Sequence, residues 1–237
     1  MSATAAVAQE PLARADVEEI VRDYILTNPE LLEEAYTILQ QRRQAEQDAA
    51  VVTSLQTYRD ALENSPHGAI MGNPDGDVTL VEFFDYNCGY CKRAMEDLER
   101  LIADDPNLRV VMKEFPVLGP PSVEAAAVSV LVNEMKPEAY PEFHDRLLSE
   151  GTPANPANGE LALSIAEEMG LPRDELAGKL RSEAVRSAMQ ESYDIAKALG
   201  LSGTPAYVIG NKVAHGAVGF DELKEHINTA RCGETTC

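Results

Sequence analysis

Two cysteines separated by two residues are the strongest candidates for chemistry in this sequence. They are Cys88 and Cys91, in the segment Cys88-Gly89-Tyr90-Cys91. In such a pair one thiolate can attack a disulfide, and the second thiol can then release the mixed disulfide that forms. The same spacing also occurs in zinc sites and in structural disulfides, so the pair alone does not decide its chemistry.

The other cysteines and the histidines offer no obvious second pair of zinc ligands, which a closed zinc site usually needs. Cys232 and Cys237 have four residues between them, and we expect them to form a small disulfide without a catalytic role. A pair of reduced, mobile thiols is the alternative. No ligand-like spacing relates the histidines, which are His67, His144, His215 and His226. We therefore expect no resident metal.

The residues around the pair predict a strand followed by a helix. Val78–Phe84 is a nearly continuous apolar run, as in a strand buried on both faces. A helix from about Cys88 to Ala103 would direct free N–H groups and its positive dipole end at the Cys88 sulfur, which favours the thiolate. Apolar residues follow Cys91 at offsets of four, seven and eleven. This spacing places Cys91 on the inward face of the helix and leaves Cys88 at its accessible end.

The remaining segments complete a mixed α/β fold. A strand at Leu108–Phe115 would close a βαβ unit with the first strand and helix. Residues 122–199 predict several helices, broken at Pro137, Pro141, Gly151–Gly159 and Gly170–Pro172. The last elements are a hairpin and a helix, namely Ala206–Ile209, Lys212–Ala214 about the Gly210-Asn211 turn, and Asp221 to about Ala230.

The N-terminal quarter predicts helices outside this core. We expect an unstructured tail over residues 1–15 and a helix capped by Asp16, with Glu19 completing a capping box. A second helix would begin at Asn28-Pro29 and continue to about Glu63. Its apolar ends flank a polar middle, which indicates a projecting arm over residues 16–64. The alternative is that this region packs back on its own catalytic domain, residues 65–237, which carries the helical insertion at about 120–200.

Two segments together resemble the thioredoxin superfamily. Val81-Glu82-Phe83-Phe84-Asp85-Tyr86-Asn87-Cys88-Gly89-Tyr90-Cys91 is similar to its strand and active-site segment, and Gly203-Thr204-Pro205-Ala206 is similar to its cis-proline loop. Their order, the insertion between them and the closing hairpin and helix resemble the DsbA-like branch over residues 65–231. Within that branch the sequence most resembles the suppressor-of-copper-sensitivity protein C (ScsC) group. We expect a thioredoxin fold with a helical insertion and an N-terminal helical extension.

The resemblance implies further site residues. Thr204-Pro205 would be a cis peptide that keeps Thr204 near Cys88 and exposes backbone for a substrate strand. The substrate-binding residues would be Gly89, Tyr90, Gly203, Thr204 and Pro205. No cofactor is implied beyond the redox-active Cys88–Cys91 disulfide.

Glu82 lies six residues before Cys88 and matches the buried acid of the superfamily. We expect it to relay the proton of Cys91, with assistance from Lys113 on the neighbouring strand. A carboxyl in an apolar strand has a raised pKa, which suits that role. The alternative is a half-exposed glutamate at the edge of a strand.

The residues between the cysteines bear on the direction of the reaction. Gly89 and Tyr90 add no positive charge, so we expect a pair less oxidising than a DsbA-type Cys-Pro-His-Cys site, and an isomerase or reductase. A membrane thiol reductase would keep Cys88 reduced, and residues 16–63 would form a homo-oligomer, a trimer by resemblance. The alternatives are a dithiol oxidase and a Cu(I)-binding module that uses Cys88 and Cys91.

Composition restricts the partners and the location. A formal net charge of −20 argues against nucleic acid as a partner. No apolar run approaches the length of a membrane span, so we expect no membrane insertion. Ala6-Val7-Ala8 has the small-x-small pattern of a signal cleavage site, although a disordered Ala-rich tail reads equally well. With the family resemblance, we expect a periplasmic protein whose signal peptide has been removed.

Overall fold

The computed structural model describes residues 13–237, and the chain divides into two compact units between residues 49 and 50. The helices are α1 (Arg14–Thr27), α2 (Glu30–Thr57), α3 (Arg59–Glu63), α4 (Gly89–Asp104), α5 (Pro120–Met135), α6 (Tyr140–Glu150), α7 (Gly159–Glu168), α8 (Arg173–Lys179), α9 (Glu183–Ala198) and α10 (Phe220–Cys232), with a 3₁₀ turn at Pro137–Ala139. The strands are β1 (Ala69–Gly72), β2 (Val78–Phe84), β3 (Leu108–Glu114), β4 (Ala206–Ile209) and β5 (Lys212–His215). No helix within the described part of the chain is long and apolar enough to cross a membrane.

Helix α1 begins three residues earlier than the sequence predicts. Its N-cap is Ala13, and Asp16 lies three positions inside, where its carboxylate accepts a hydrogen bond from the Ala13 N–H at 3.2 Å. The prediction of Asp16 as N-cap is therefore wrong, because the carboxylate can satisfy the free N–H group from within the first turn. The rest of the predicted tail, residues 1–12 with Ala6-Val7-Ala8, lies outside the described residues.

The predicted long helix to Glu63 is interrupted at Tyr58. Helix α2 ends at Thr57, and α3 then restarts the helical path. The Arg59 guanidinium donates to the Gly210 carbonyl and to the Asn211 side chain, both at 2.7 Å. These hydrogen bonds attach the start of α3 to the β4–β5 turn. The helix is therefore interrupted by contacts with a distant segment, which helical periodicity does not reveal.

The second apolar segment of the predicted arm belongs to the core of the second unit. Leu55 and Leu62 are fully buried there, against Val81 and Phe83 of the sheet and Ile195 of α9. Over this stretch the structure therefore matches the alternative of packing on the catalytic domain. The first unit contains α1 and most of α2, and α1 buries no residue.

Within residues 13–237 the sheet has five strands in the order β1-β3-β2-β4-β5. Strands β2 and β3 are parallel and joined by α4, which confirms the predicted βαβ unit. Strand β4 pairs antiparallel with β2 and forms the predicted hairpin with β5. Strand β1 was not predicted, because four residues ending in Gly72 are too short to show an alternating pattern.

The helical insertion packs α5 to α8 over one face of the sheet, and α9 contacts β3 on the other. Pro141 does not end a helix as predicted. It lies in the first turn of α6, where a missing N–H costs no hydrogen bond. An unpredicted break separates α8 from α9, and the Ser182 side chain caps α9 by accepting from the Val185 N–H at 3.4 Å.

Candidate active site

The two cysteines lie where the central strand β2 passes into α4. Cys88 is the N-cap of that helix, and its sulfur accepts a hydrogen bond from the Cys91 N–H at 3.3 Å. Both are free cysteines. Cys88 is 5% exposed and Cys91 only 1%, so both residues are buried and Cys88 is the less covered of the two. The expected asymmetry between an accessible and a shielded thiol is present, although Cys88 is more covered than predicted.

A loop distant in sequence covers the Cys88 sulfur. The Thr204-Pro205 peptide is cis, as predicted, and leads directly into β4. In its protonated form the Cys88 thiol donates to the Thr204 carbonyl at 3.2 Å. The fold therefore brings Gly203, Thr204 and Pro205 to the cysteines, and their roles toward a substrate remain predictions.

The surroundings give the two thiols opposite acidities. A hydrogen bond from the Cys91 side chain is the largest of the influences that lower the pKa of Cys88 to about 5, and the Thr204 side chain and two helix N–H groups assist it against burial. Burial, followed by the hydrogen bond to Cys88, raises the pKa of Cys91 far above that of an ordinary thiol. At neutral pH the site thus holds one thiolate and one thiol, the division that disulfide exchange requires.

The same asymmetry bears on the predicted copper chemistry. Two thiolates would suit Cu(I), but the raised pKa of Cys91 opposes ionisation of the second sulfur. Within residues 13–237 no group of three or more potential metal ligands comes together. Copper binding at Cys88 and Cys91 stays a prediction with this physical argument against it.

Glu82 is buried in the middle of the sheet. Its neighbours in register are Met112 on β3 and Tyr207 on β4, and it is 3% exposed. The alternative of a half-exposed glutamate at a strand edge is therefore wrong. Desolvation, followed by the charge of Cys88, raises the pKa of Glu82 to about 8. A carboxyl that titrates near neutral pH can accept and return a proton, as a relay to Cys91 requires.

Lys113 cannot assist Glu82, so that prediction is wrong. It pairs in register with Phe83, and adjacent residues of a strand point to opposite faces of the sheet. The Lys113 ammonium instead donates to the Ala61 carbonyl at 2.7 Å and pairs with Glu191 at 2.5 Å. It joins α3 and α9 to β3 on the face away from the cysteines.

The two residues between the cysteines differ in exposure and surroundings. Tyr90 is 61% exposed, and the Arg93 guanidinium lies 4.4 Å from its ring centroid. A Cβ atom on Gly89 would meet only Arg93, at 4.0 Å, so the surface beside Cys88 is open at this point. Arg93, one helical turn after Gly89, thus brings a positive charge to a dipeptide that carries none.

Two polar residues before Cys88, Asp85 and Asn87, fix the active-site segment, and the sequence did not lead us to assign either a role. The Asn87 side chain donates to the Ala157 carbonyl at 2.8 Å and accepts from the Ala157 N–H at 2.9 Å. The Asp85 carboxylate accepts from the backbone N–H groups of Asn87 at 2.8 Å, Val117 at 2.8 Å and Leu118 at 2.9 Å. Their position directly after a buried strand was the available signal, since polar residues there are commonly used to order a site. Asp85 joins the start of the active-site turn to the loop that follows β3.

Three further features of the described chain contain neither Cys88 nor Cys91. Cys232 and Cys237 form the expected disulfide. His144 is buried against Tyr86 and Tyr140, and burial lowers its pKa to about 3, so it stays neutral. A cavity of about 850 Å³ between α5 and α9 contains neither active-site cysteine.

Comparison with known proteins assigns this region to a family. The DSBA-like thioredoxin domain family matches residues 79–228, more than half of the chain. The chain belongs to that family. The Copper resistance protein ScsC N-terminal domain matches residues 14–46 of this DsbA-like chain. The predicted resemblance to the DsbA-like branch and to the ScsC group is thereby confirmed, and with it the general class of thiol–disulfide oxidoreductases.

Solved structures agree with this assignment over most of the DsbA-like chain. A thioredoxin-like oxidoreductase from Silicibacter pomeroyi is 38% identical, with 73% of this chain and 97% of that one covered and a TM-score of 0.68. Proteus mirabilis ScsC in a transitional conformation is 29% identical, with coverage of 94% and 100% and a TM-score of 0.68. The same ScsC in a compact conformation is 32% identical, with coverage of 86% and 99% and a TM-score of 0.64.

Curated relatives include proteins much longer than this chain. Na(+)/H(+) antiporter NhaA 1 of Salinispora arenicola is 29% identical over 166 residues, which are 69% of this chain and 25% of the antiporter. The DsbA-like chain thus spans about a quarter of the length of the first antiporters that it matches. Disulfide bond formation protein D of Bacillus subtilis is 26% identical over 170 residues, 67% of this chain and 74% of that protein.

Proposed function

We propose that this DsbA-like chain exchanges disulfides in cysteine-containing protein substrates, with Cys88 as the nucleophile and Cys91 as the resolving thiol. The observation that carries the proposal is the pairing of a hydrogen-bonded, acidic Cys88 with a shielded, weakly acidic Cys91. The Cys88–Cys91 dithiol supplies the two electrons that reduce a substrate disulfide and itself becomes a disulfide, so the exchange needs no resident cofactor.

The reaction has two steps. The Cys88 thiolate attacks one sulfur of a substrate disulfide, and the other substrate sulfur leaves as a thiolate and takes a proton from water. Cys91 then loses its proton to Glu82 and attacks the Cys88 sulfur, which releases the reduced substrate and leaves the Cys88–Cys91 disulfide. In isomerisation a second substrate thiolate resolves the mixed disulfide instead, and Cys88 leaves unchanged.

The substrate would lie along the loop that covers Cys88. Gly203, Thr204 and Pro205 offer main-chain groups for an extended segment, by the mode in which a peptide adds to an exposed strand. Gly89 and Tyr90 border the same sulfur from the helix side. Because Tyr90 is mostly exposed, its ring is available to contact a polypeptide.

We propose that the protein isomerises or reduces substrate disulfides rather than forming them by oxidation. The pKa of about 5 for Cys88 lies between the values near 7 for thioredoxin and near 3.5 for DsbA. A less stabilised thiolate means a less stabilised reduced form, and hence a weaker oxidant than DsbA. Isomerisation requires Cys88 to be kept in its reduced form, and each closure of the Cys88–Cys91 disulfide removes it from that form, so a membrane thiol reductase is the expected partner.

The N-terminal helices support an oligomer in the periplasm. Helix α1 leaves Val17, Ile20, Val21 and Tyr24 between 44% and 60% exposed, an apolar stripe that no residue within 13–237 buries. We propose that this stripe joins copies of the chain, as a trimer. Because Leu55 and Leu62 belong to the core of the second unit, the proposed interface narrows from residues 16–63 to residues 14–49. A similar thioredoxin-like protein from Salmonella enterica is described as periplasmic.

Refolding of ribonuclease tests the proposal. The full chain should reactivate scrambled ribonuclease, which needs isomerisation, faster than it oxidises reduced ribonuclease. A chain with Cys88→Ala should do neither, and one with Cys91→Ala should accumulate mixed disulfides. Efficient oxidation of reduced ribonuclease without reactivation of the scrambled form would support the oxidase alternative instead.

A further inference from the structure

Tyr207 lies directly across the sheet from Glu82. The two residues are partners in the antiparallel pairing of β4 with β2, so their side chains project from the same face at neighbouring positions. Both are buried, with Tyr207 1% and Glu82 3% exposed. Tyr207 also shares a hydrophobic core cluster with Cys91 of α4. The phenol is therefore enclosed together with the two groups that exchange a proton in the resolving step.

The Tyr207 hydroxyl is available for proton transfer. Two other buried tyrosines use their hydroxyls within the fold: that of Tyr86 lies 2.7 Å from the Ser129 hydroxyl, and that of Tyr140 lies 3.4 Å from His144 Nδ1. No group among residues 13–237 forms a hydrogen bond with the Tyr207 hydroxyl. A polar group on a buried ring without a structural partner calls for an explanation.

Asp97 offers a route from this region to solvent along α4. It lies six residues after Cys91, about 9 Å farther along the helix axis. Asp104 follows it by seven residues and so shares its side of the helix. That side faces α10, because Asp104 accepts from Lys224 at 2.5 Å, and α10 packs on β4 as well. The Asp97 side chain is 28% exposed, so a proton that reaches it can exchange with water.

The electrostatic surroundings keep the Tyr207 hydroxyl neutral. Burial raises the pKa of Tyr207, and nearby negative charges raise it further, in the order Glu82, Cys91, Asp97 and Cys88. The phenol is thus within electrostatic reach of the buried acid, of both sulfurs and of the half-buried carboxylate. A neutral hydroxyl can donate and accept at the same time, so it can transfer a proton without becoming charged.

Glu82 needs a route to solvent for its proton. With a pKa of about 8 its carboxyl is mostly protonated at neutral pH, so it must lose that proton before it can accept the one from Cys91. The opening beside Cys88 cannot serve during resolution, because the Thr204-Pro205 loop and the bound substrate cover it. The proton must therefore leave on another side of Glu82.

We propose that the Tyr207 hydroxyl carries the proton of Glu82 to Asp97 and so acts as a positioning residue of the relay. The assignment deepens the proposed function and rests on its step in which Cys91 loses a proton to Glu82. The Glu82 carboxyl gives its proton to the Tyr207 oxygen, and the Tyr207 proton passes to the Asp97 carboxylate, which releases it to water. Glu82 becomes a carboxylate, Tyr207 is unchanged, and no oxidant or reductant is consumed.

The reaction of the reduced full-length protein with one equivalent of 5,5′-dithiobis(2-nitrobenzoate) tests the assignment. Attack by Cys88 releases a first thionitrobenzoate, and attack by Cys91 on the mixed disulfide releases a second. We expect Tyr207→Phe and Asp97→Asn each to slow the second release by about tenfold, since water can replace part of the route. The first release should be unchanged in both variants.

Matched variants control for the loss of a buried hydroxyl and of a helix carboxylate. Tyr140→Phe removes a hydroxyl from an equally buried ring, and Asp104→Asn removes a carboxylate on the same side of α4 as Asp97. Both should keep the native rates of both releases. An unchanged first release in Tyr207→Phe also shows that this variant is folded around an acidic Cys88.

Combination with Glu82→Gln separates a role through Glu82 from general damage. If Tyr207 acts through Glu82, adding Tyr207→Phe to Glu82→Gln should slow the second release no further. Independent effects of the two changes would overturn the assignment. So would a second release within twofold of the native rate in Tyr207→Phe or in Asp97→Asn. Failure of the proposed function gives a different result, because the native chain itself would then release one thionitrobenzoate or none.

Discussion

The acidity of Cys88 depends on groups from two distant parts of the chain. Cys91 and the first N–H groups of α4 are local contributors, and Thr204 adds to them from 116 residues away. The local contributors are accessible to sequence reasoning, because a cysteine at a helix N-terminus has a predictable electrostatic environment. The largest single influence, the side chain of Cys91, can be removed without altering the loop.

Replacement of Cys91 should therefore raise the pKa of Cys88. Alkylation of native Cys88 by iodoacetamide should show a midpoint near pH 5. With Cys91→Ala the midpoint should move toward the value of about 8.5 for a free cysteine. Cys91→Ser keeps a hydroxyl donor and should remain closer to the native midpoint. A Cys91→Ala midpoint still near pH 5 would show that helix and loop alone stabilise the thiolate.

Glu82 should make the stability of the reduced protein depend on pH. Its carboxyl titrates near 8 in the folded state and near 4.5 when unfolded, so the folded state binds more protons between these values. Stability is therefore lost as the pH rises through this window. Glu82→Gln should remove that slope and gain about 3 kcal/mol relative to the native chain at pH 7. Urea unfolding at pH 4 and pH 7 measures the difference, with the pH 4 pair as control.

The relay role of Glu82 has a separate kinetic readout. If Glu82 accepts the proton of Cys91, Glu82→Gln should slow resolution of a preformed mixed disulfide by about a hundredfold. Alkylation of Cys88 should stay rapid, because Cys91 and Thr204 remain in place. A changed pH slope of stability with an unchanged resolution rate would leave Glu82 buried but outside the reaction.

At the scale of elements, one face of the sheet holds the residues of the reaction, and the other holds contacts that stabilise the fold. Glu82 and Cys91 lie on the face covered by α4, and Lys113 lies on the face covered by α3 and α9. The buried Lys113 ammonium binds the Ala61 carbonyl and the Glu191 carboxylate, and so connects β3 to α3 and α9. Its removal should weaken packing without affecting exchange.

Lys113→Met tests this separation. Loss of the ion pair with partly exposed Glu191 should lower the free energy of unfolding by about 2 kcal/mol, less than for a fully buried pair. The rate of mixed-disulfide resolution should be unchanged. Glu191→Gln is the matched variant and should destabilise the protein in the same direction. A slower resolution step in Lys113→Met would contradict the placement of Lys113 away from the reaction.

The elements that the sequence predicts well are those with strong local patterns. The apolar run of β2, the amphipathic α4 and the hairpin at Gly210-Asn211 each carry their own signal. The break at Tyr58 and the face occupied by Lys113 depend on contacts between distant segments. Strand register decides which side chains share a face of the sheet. A one-residue shift in the pairing of two strands moves a side chain to the other face, and the sequence alone does not reveal it. The loop between α6 and α7, whose Ala157 backbone bonds to the Asn87 side chain, has no periodicity from which to predict it.

At the scale of the whole molecule, the exposed stripe of α1 should control assembly. Light scattering of the native chain should give about three times the monomer mass of 25.8 kDa. A triple variant with Val17→Glu, Ile20→Glu and Tyr24→Glu should be monomeric. In the oligomer its three carboxylates would be buried in an apolar interface without a positively charged partner. Arg22→Glu, on another side of the helix, should leave the mass unchanged.

Activity of the same variants separates assembly from chemistry. The monomeric variant should keep its reaction with small disulfides and lose most reactivation of scrambled ribonuclease. Several active sites around one misfolded substrate raise the effective concentration of Cys88, and a monomer lacks that gain. A native chain that is monomeric and still isomerises ribonuclease would remove the need for an oligomer.

The distance along the chain between Cys88 and Thr204 also has a consequence during biosynthesis. At about 5–20 residues per second, roughly ten seconds separate the emergence of the two residues from the ribosome. During that interval the nascent chain carries both sulfurs without the loop that covers one of them. In an oxidising compartment the two sulfurs of such an incomplete chain can form a disulfide before their surroundings exist. The length of the helical insertion thus sets a period of vulnerability that every newly made copy passes through before it can act on another protein.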